Sequence, residues 1–175
     1  MKRKFCYYGN PILRKKAVKV TAITDEIREL VHDMIEMMDD RNGVGLAASQ
    51  VGELWQIFVI RPEIQSDSNE FLLGEPIVYI NPELSNPSEE TQTGPEGCLS
   101  IPGIHMEVTR PKSIHIKAMD LDGNIFEEDV TGFKAREVMH ENDHLNGVLY
   151  IDRLNPEQKK EIQPVLKEIK EKYSS

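Results

Sequence analysis

The sequence predicts an α+β fold: short antiparallel strands packed around a central metal-binding helix, with N- and C-terminal helices outside. Three observations carry this. Apolar residues recur at helical spacing across residues 24–40. Several short apolar or alternating runs are bounded by Asn, Asp, Pro and Gly. Residues 133–150 form a second helical pattern, and it contains His140-Glu141-Asn142-Asp143-His144. At 175 residues the chain is expected to form a single domain, 1–175, with a real core.

Each element has its own signal. Residues 5–17 are mixed, with a turn at Gly9-Asn10-Pro11 and Cys6 as a packed thiol. Thr24 suits an N-cap, followed by Asp25 and Glu26 at the positive end of the helix dipole. Ile27, Leu30, Val31, Met34, Ile35 and Met38 then form one apolar face. Residues 43–52, Gly43-Val44-Gly45-Leu46-Ala47-Ala48-Ser49-Gln50-Val51-Gly52, are small enough for the backbone to approach another group. They lack the Gly-Lys-Ser/Thr ending of a phosphate loop. Residues 55–60 and 76–80 read as strands, the second stopped by Asn81-Pro82. Residues 61–74 read as an exposed, mobile insert, and 86–94 as turn-rich. Residues 104–108, 112–119 and 124–130 read as strands, with a hairpin turn at Asp122-Gly123. His115 falls on a wet face and His32 on a polar edge, so neither is given a role. Asn155-Pro156 opens a Lys/Glu-rich terminal helix in which Pro164 should kink or interrupt the run.

Bulk composition narrows the function classes. A formal net charge of −9 argues against a nucleic-acid or anionic-membrane partner held by bulk charge. No stretch approaches transmembrane length, and Met1-Lys2-Arg3-Lys4 is not followed by an apolar signal core. Two cysteines, Cys6 and Cys98, do not make a disulfide framework, and a cytoplasmic, reducing compartment fits them.

The chemistry concentrates on the His-Glu-x-x-His run. On a helix, His140 and His144 share a face one turn apart and can hold one divalent metal, with Glu141 beside it as a general base. A catalytic ion usually takes three protein ligands and a water. Three sources of the third ligand compete. A metzincin pattern would need His where this chain has Tyr150. A thermolysin-like site would use Glu157, Glu161 or Glu168, which lie among lysines. Cys98, in Glu96-Gly97-Cys98-Leu99-Ser100, is the better candidate.

Residues 43–50, 96–100 and 140–144 resemble, in order and spacing, the three motifs of the peptide deformylase family. The resemblance spans about residues 7–153. It implies a metal-dependent hydrolase that removes the formyl group from N-formylmethionyl peptides and releases formate. It implies Cys98, His140 and His144 as metal ligands, with Fe²⁺ as the native ion and Zn²⁺, Ni²⁺ or Co²⁺ able to substitute. Glu141 would move the proton. The Gln50 side-chain amide and the Leu99 backbone N–H would stabilise the formyl oxygen as it gains charge. The backbone of Gly45 and of residues 97–99, Gly97 included, would line the peptide. Val44, Phe133 and aliphatic parts of the metal helix would form the methionine pocket. Asp143 is expected to pair with Arg110 and so orient the helix. Two positions depart from the family: Met139 stands where Gln is usual, and His105 where many members carry Arg. The family's role also suggests a ribosome contact through the C-terminal lysines, although their pattern reads as a solvated face.

Overall fold

A computed structural model describes residues 3–65 and 71–173. The first helix, α1 (Asp25–Asp40), begins where Thr24 Oγ1 accepts the Ile27 N–H at 3.3 Å. It buries Ile27, Leu30, Val31, Met34 and Met38. Five strands, β1 (Gly45–Ala47), β2 (Ile57–Ile60), β5 (Ile77–Ser85), β8 (Ser113–Met119) and β9 (Ile125–Thr131), form one antiparallel sheet in the order β1-β2-β5-β8-β9. At β2 both faces of this sheet are covered, which is why β2 reads as an unbroken apolar run. Ile57 and Val59 pack with α1, while Phe58 and Ile60 pack with the second helix, α2 (Gly132–Leu145).

The α2 helix supplies Ala135, Val138, Met139 and Leu145 to that second layer. A separate antiparallel ribbon, β6 (Thr91–Cys98) with β7 (Ile101–Pro111), packs on α2 and on the last helix, α3 (Pro156–Tyr173). Ile162, Leu166 and Ile169 of α3 meet Ile104 and Val108 of β7, and the Lys/Glu face of α3 stays exposed. The architecture is α+β with α2 between sheet and ribbon, as the sequence predicts. Among the described residues no helix is long and apolar enough to cross a membrane.

Four local expectations are corrected. Residues 61–74 are not a featureless insert: β3 (Glu63–Gln65) and β4 (Phe71–Leu73) pair as a hairpin. Residues 66–70, within the same expected insert, lie outside the described residues. Asn81-Pro82 does not stop β5. Ile80 pairs with Met119 and Glu83 with Lys117, so one extra residue is absorbed as a bulge and Pro82 needs no ladder hydrogen bond. Part of the turn-rich stretch, from Thr91, belongs to β6. Pro164 does not interrupt α3. It is exposed, so water can solvate the carbonyl it leaves free, and buried residues on both sides hold the helix together.

Asn81 makes the β5 bulge possible. Its φ is +52°, a region Asn tolerates better than most residues. Its side chain accepts the Val20 N–H at 2.8 Å and donates to the Val20 carbonyl at 2.9 Å. Replacing Asn81 by Ala removes both bonds and should cost about 2 kcal/mol, read as a lower urea midpoint at unchanged slope.

Candidate metal centre

Cys98 is the last residue of β6, and His140 and His144 lie on α2. One ligating atom from each lies within 4.8 Å of those of the other two. Cys98 Sγ is 3.4 Å from His144 Nε2. The two imidazoles are stacked edge to face, with ring centroids 5.3 Å apart. A register shift interrupts the ribbon ladder at the site: Gly97 pairs with His105, and Cys98 with Ile101. Both histidines are buried, and the half-buried thiol lines a cavity of about 450 Å³. One thiol and two imidazoles beside an open cavity fit a divalent ion with three protein ligands and one free position.

Neither rival third ligand takes part. The Tyr150 hydroxyl donates to the Ile104 carbonyl at 3.3 Å, and its ring stacks on His140 with centroids 5.9 Å apart. Glu157, Glu161 and Glu168 are exposed on α3.

The residue that sequence reasoning missed is Glu96. It is 5% exposed, and both its oxygens are used. Arg110 donates to it through Nε at 2.6 Å and Nη2 at 2.8 Å, and Arg136 through Nη1 at 2.6 Å. His140 Nδ1 is 2.9 Å from Glu96 Oε1. With Nδ1–H held there, Nε2 of His140 is free to face Cys98 and an ion. Arg136 also donates to the carbonyls of Val108 and Gln92, so it ties α2 to both strands of the ribbon. One signal for it was present: Arg136, His140 and His144 recur every four residues, on one helix face. The expected Arg110–Asp143 pair is present at 3.1 Å. Arg153 adds a two-bond clamp on Asp143, at 2.7 Å for each bond.

Burial sets the charges. It would raise the Glu96 carboxyl, but hydrogen bonds from Arg110 and His140 outweigh it and hold the group at about 2. Burial would depress His140, yet hydrogen bonds with Cys98 and Glu96 lift it well above the usual imidazole range. His144 is pushed well below that range, first by burial and then by the charge of His140. Its Nδ1 is buried without a partner among the described residues. Glu141 is raised by burial, with His140 offsetting part of the rise, to about 7. Its Oε1 is buried with no hydrogen-bond partner among the described residues.

The remaining candidates surround the same cavity. Gln50 is buried, and its Oε1 accepts the Ala47 N–H at 2.9 Å. That fixes which end of the amide points inward. Nε2 donates to Ser100 Oγ at 3.0 Å and lies 3.6 Å from Cys98 Sγ. Ser100 Oγ in turn donates to the Cys6 carbonyl at 2.7 Å, so the N-terminal segment braces this corner. Val44, Gly45, Gly97, Leu99 and Phe133 all line the cavity. Two glycines are there for space. A Cβ on Gly45 would fall 2.5 Å from Glu141 Oε2, and one on Gly97 2.6 Å from the His105 ring. One expectation fails: the aliphatic residues of α2 do not line the cavity. Val138 and Met139 face the sheet, and α2 presents Phe133, Arg136 and Glu137 beside His140 and Glu141.

The family model for polypeptide deformylase matches residues 2–160. The chain belongs to the peptide deformylase family. It is 49% identical to peptide deformylase 1 of Clostridium perfringens over 150 residues, covering 86% of this chain and 96% of that protein. It is similar in fold to the solved Thermotoga maritima peptide deformylase, with a TM-score of 0.79 and 40% identity over 89% of this chain and 99% of that one. The Plasmodium falciparum enzyme gives a TM-score of 0.87 at 33% identity, over 97% and 96% of the two chains. A deformylase is a hydrolase that removes the N-formyl group from nascent polypeptides, and this chain is such an enzyme.

Glu96 gives this deformylase an acid sensitivity of known sign. Its folded value of about 2 lies below the ordinary 4.5. The stability it contributes is therefore complete above pH 4.5 and lost as pH falls toward 2. The shift corresponds to about 3 kcal/mol. In Glu96→Gln, which cannot ionise, the deficit relative to wild type should be largest near pH 6 and shrink by about that amount by pH 2.5. Denaturant titrations across that range measure it.

Proposed function

We propose that Cys98, His140 and His144 hold the catalytic ion of this single-domain deformylase, that Fe²⁺ is the native metal, and that Glu141 is its proton carrier. The observation that carries the reading is the buried carboxyl of Glu141, its Oε1 without a hydrogen-bond partner among the described residues, on the helix that carries the two imidazoles. A divalent ion held by Cys98, His140 and His144 would supply a nucleophilic water near neutral pH and positive charge for the developing oxyanion.

The chain's own groups supply the rest. Glu141, with its carboxyl at about 7, can accept a proton from the attacking water at neutral pH. It then returns that proton to the departing amine, which leaves formate and a free N-terminus. Gln50 Nε2 and the Leu99 backbone N–H are the donors for the formyl oxygen as charge builds on it. The amide orientation imposed by Ala47 keeps Gln50 ready as a donor.

The substrate backbone has a matching slot. Among the described residues β1 is the edge of the five-stranded sheet, and β6 pairs only with β7. Both strands line the cavity, through Gly45 on one side and Pro95, Glu96 and Gly97 on the other. An extended peptide between them satisfies unpaired strand edges by backbone hydrogen bonds. Val44 and Phe133 are candidate walls for the methionine side chain.

Formate release from formyl-Met-Ala-Ser tests the assignment. Glu141→Ala should retain bound metal and lose turnover by about 10²–10⁴. Cys98→Ala should lose the metal itself, whereas a zincin using a different third ligand would keep it. Metal analysis of protein purified without oxygen identifies the native ion, and iron is the expected result. Full activity in Glu141→Ala would overturn the mechanism.

A further inference from the structure

The stripe of α2 that faces the cavity carries an acid that the reaction above does not use. Glu137 lies one turn after Phe133 and one turn before Glu141, and it lines the same cavity. It is 6% exposed, and its Oε2 is buried with no hydrogen-bond partner among the described residues. An unsatisfied buried polar group costs about 1–3 kcal/mol, so folding alone gives no reason for a carboxyl here. Burial, reinforced by the carboxylates of Glu141 and Glu63 against the opposing charges of His140 and Lys134, pushes it up to about 9. At neutral pH it therefore carries an O–H and can donate.

We propose that Glu137 is a specificity-determining residue whose carboxyl donates a hydrogen bond to an acceptor at the end of the first substrate side chain, the thioether sulfur of the formylated methionine. This rests on the deformylase site described under the proposed function. There the formyl group lies beside Glu141, and one helical turn is about 5.4 Å, comparable with the reach of a methionine side chain. An extended methionine directed along the stripe from Glu141 toward Phe133 therefore passes Glu137. Sulfur is a weak acceptor, whereas a sulfoxide oxygen is a strong one. Norleucine has nearly the shape of methionine but no acceptor. The pocket therefore selects by hydrogen bonding as well as by volume.

The test measures kcat/KM of the metal-loaded enzyme on formyl-Met-Ala-Ser, its norleucine analogue and its methionine-sulfoxide analogue. Ratios between substrates within one preparation do not depend on how much of it is active. Wild type should favour methionine over norleucine by about fivefold, the worth of one net hydrogen bond. It should also process the sulfoxide. Glu137→Val should bring the methionine-to-norleucine ratio to about one and lose the sulfoxide by more than tenfold. Glu137→Gln retains a donor and should keep the preference. If the valine variant does not fold, the wild-type and glutamine ratios still decide. Equal use of methionine and norleucine by wild type, or an unchanged ratio in Glu137→Val, overturns the proposal. Absence of formate from every peptide would instead remove the site assignment itself, and the role of Glu137 with it.

Discussion

One buried carboxylate organises the candidate centre. Glu96 sits on the strand that ends at Cys98, and it binds Arg110 of the neighbouring strand and both Arg136 and His140 of the helix. Two guanidinium groups and an imidazole around one carboxylate would be a costly excess of positive charge. Asp143 supplies a second negative charge beside Arg110, and its other partner, Arg153, is half-exposed and stays solvated. Buried ions are tolerated when each has partners and none is left over. The network therefore fixes the ribbon against the helix, and in doing so fixes the distance from the thiol to the two imidazoles.

The layers around α2 explain why one helix can serve core and site together. Its Ala135, Val138 and Met139 side packs on the sheet, and its opposite side faces the cavity. The polar residues of that second side are buried without being enclosed in apolar packing. Burial raises Glu141 to about 7 and Glu137 to about 9, so the same helix face carries two acids with different proton affinities. Gly45 lets β1 approach Glu141 closely, and a side chain there would displace the carboxyl. The glycines of the first motif therefore act through what they leave out. The departures at Met139 and His105 divide in the same way. Met139 packs into the core away from the cavity, while His105 lines the cavity beside Gly97.

Much of this was legible from the chain alone. Periodicity marks α1 and α2, because each has one face against a core and the spacing of apolar residues records it. The ordered motifs name the family and put Cys98 beside His140 and His144, because metal ligation constrains residue type as well as position. The Asp143–Arg110 pair was also expected. What local sequence misjudged were strands held by partners far away. β5 passes through Asn81-Pro82 because Val20 and a bulge accommodate them, and β6 begins inside a stretch rich in turn residues. Neither is encoded by neighbouring residues.

Residue types and spacing by themselves determined the family, the ligand set to expect and the helix that carries two of its three members. Only the tertiary structure decided that Glu96 is the anchor and that α2 turns Glu137, and not its aliphatic residues, toward the cavity. The reason is physical. A ligand pattern is one-dimensional when a helix repeats it, but burial, charge pairing and the reach of one strand toward another depend on distances that only folding sets.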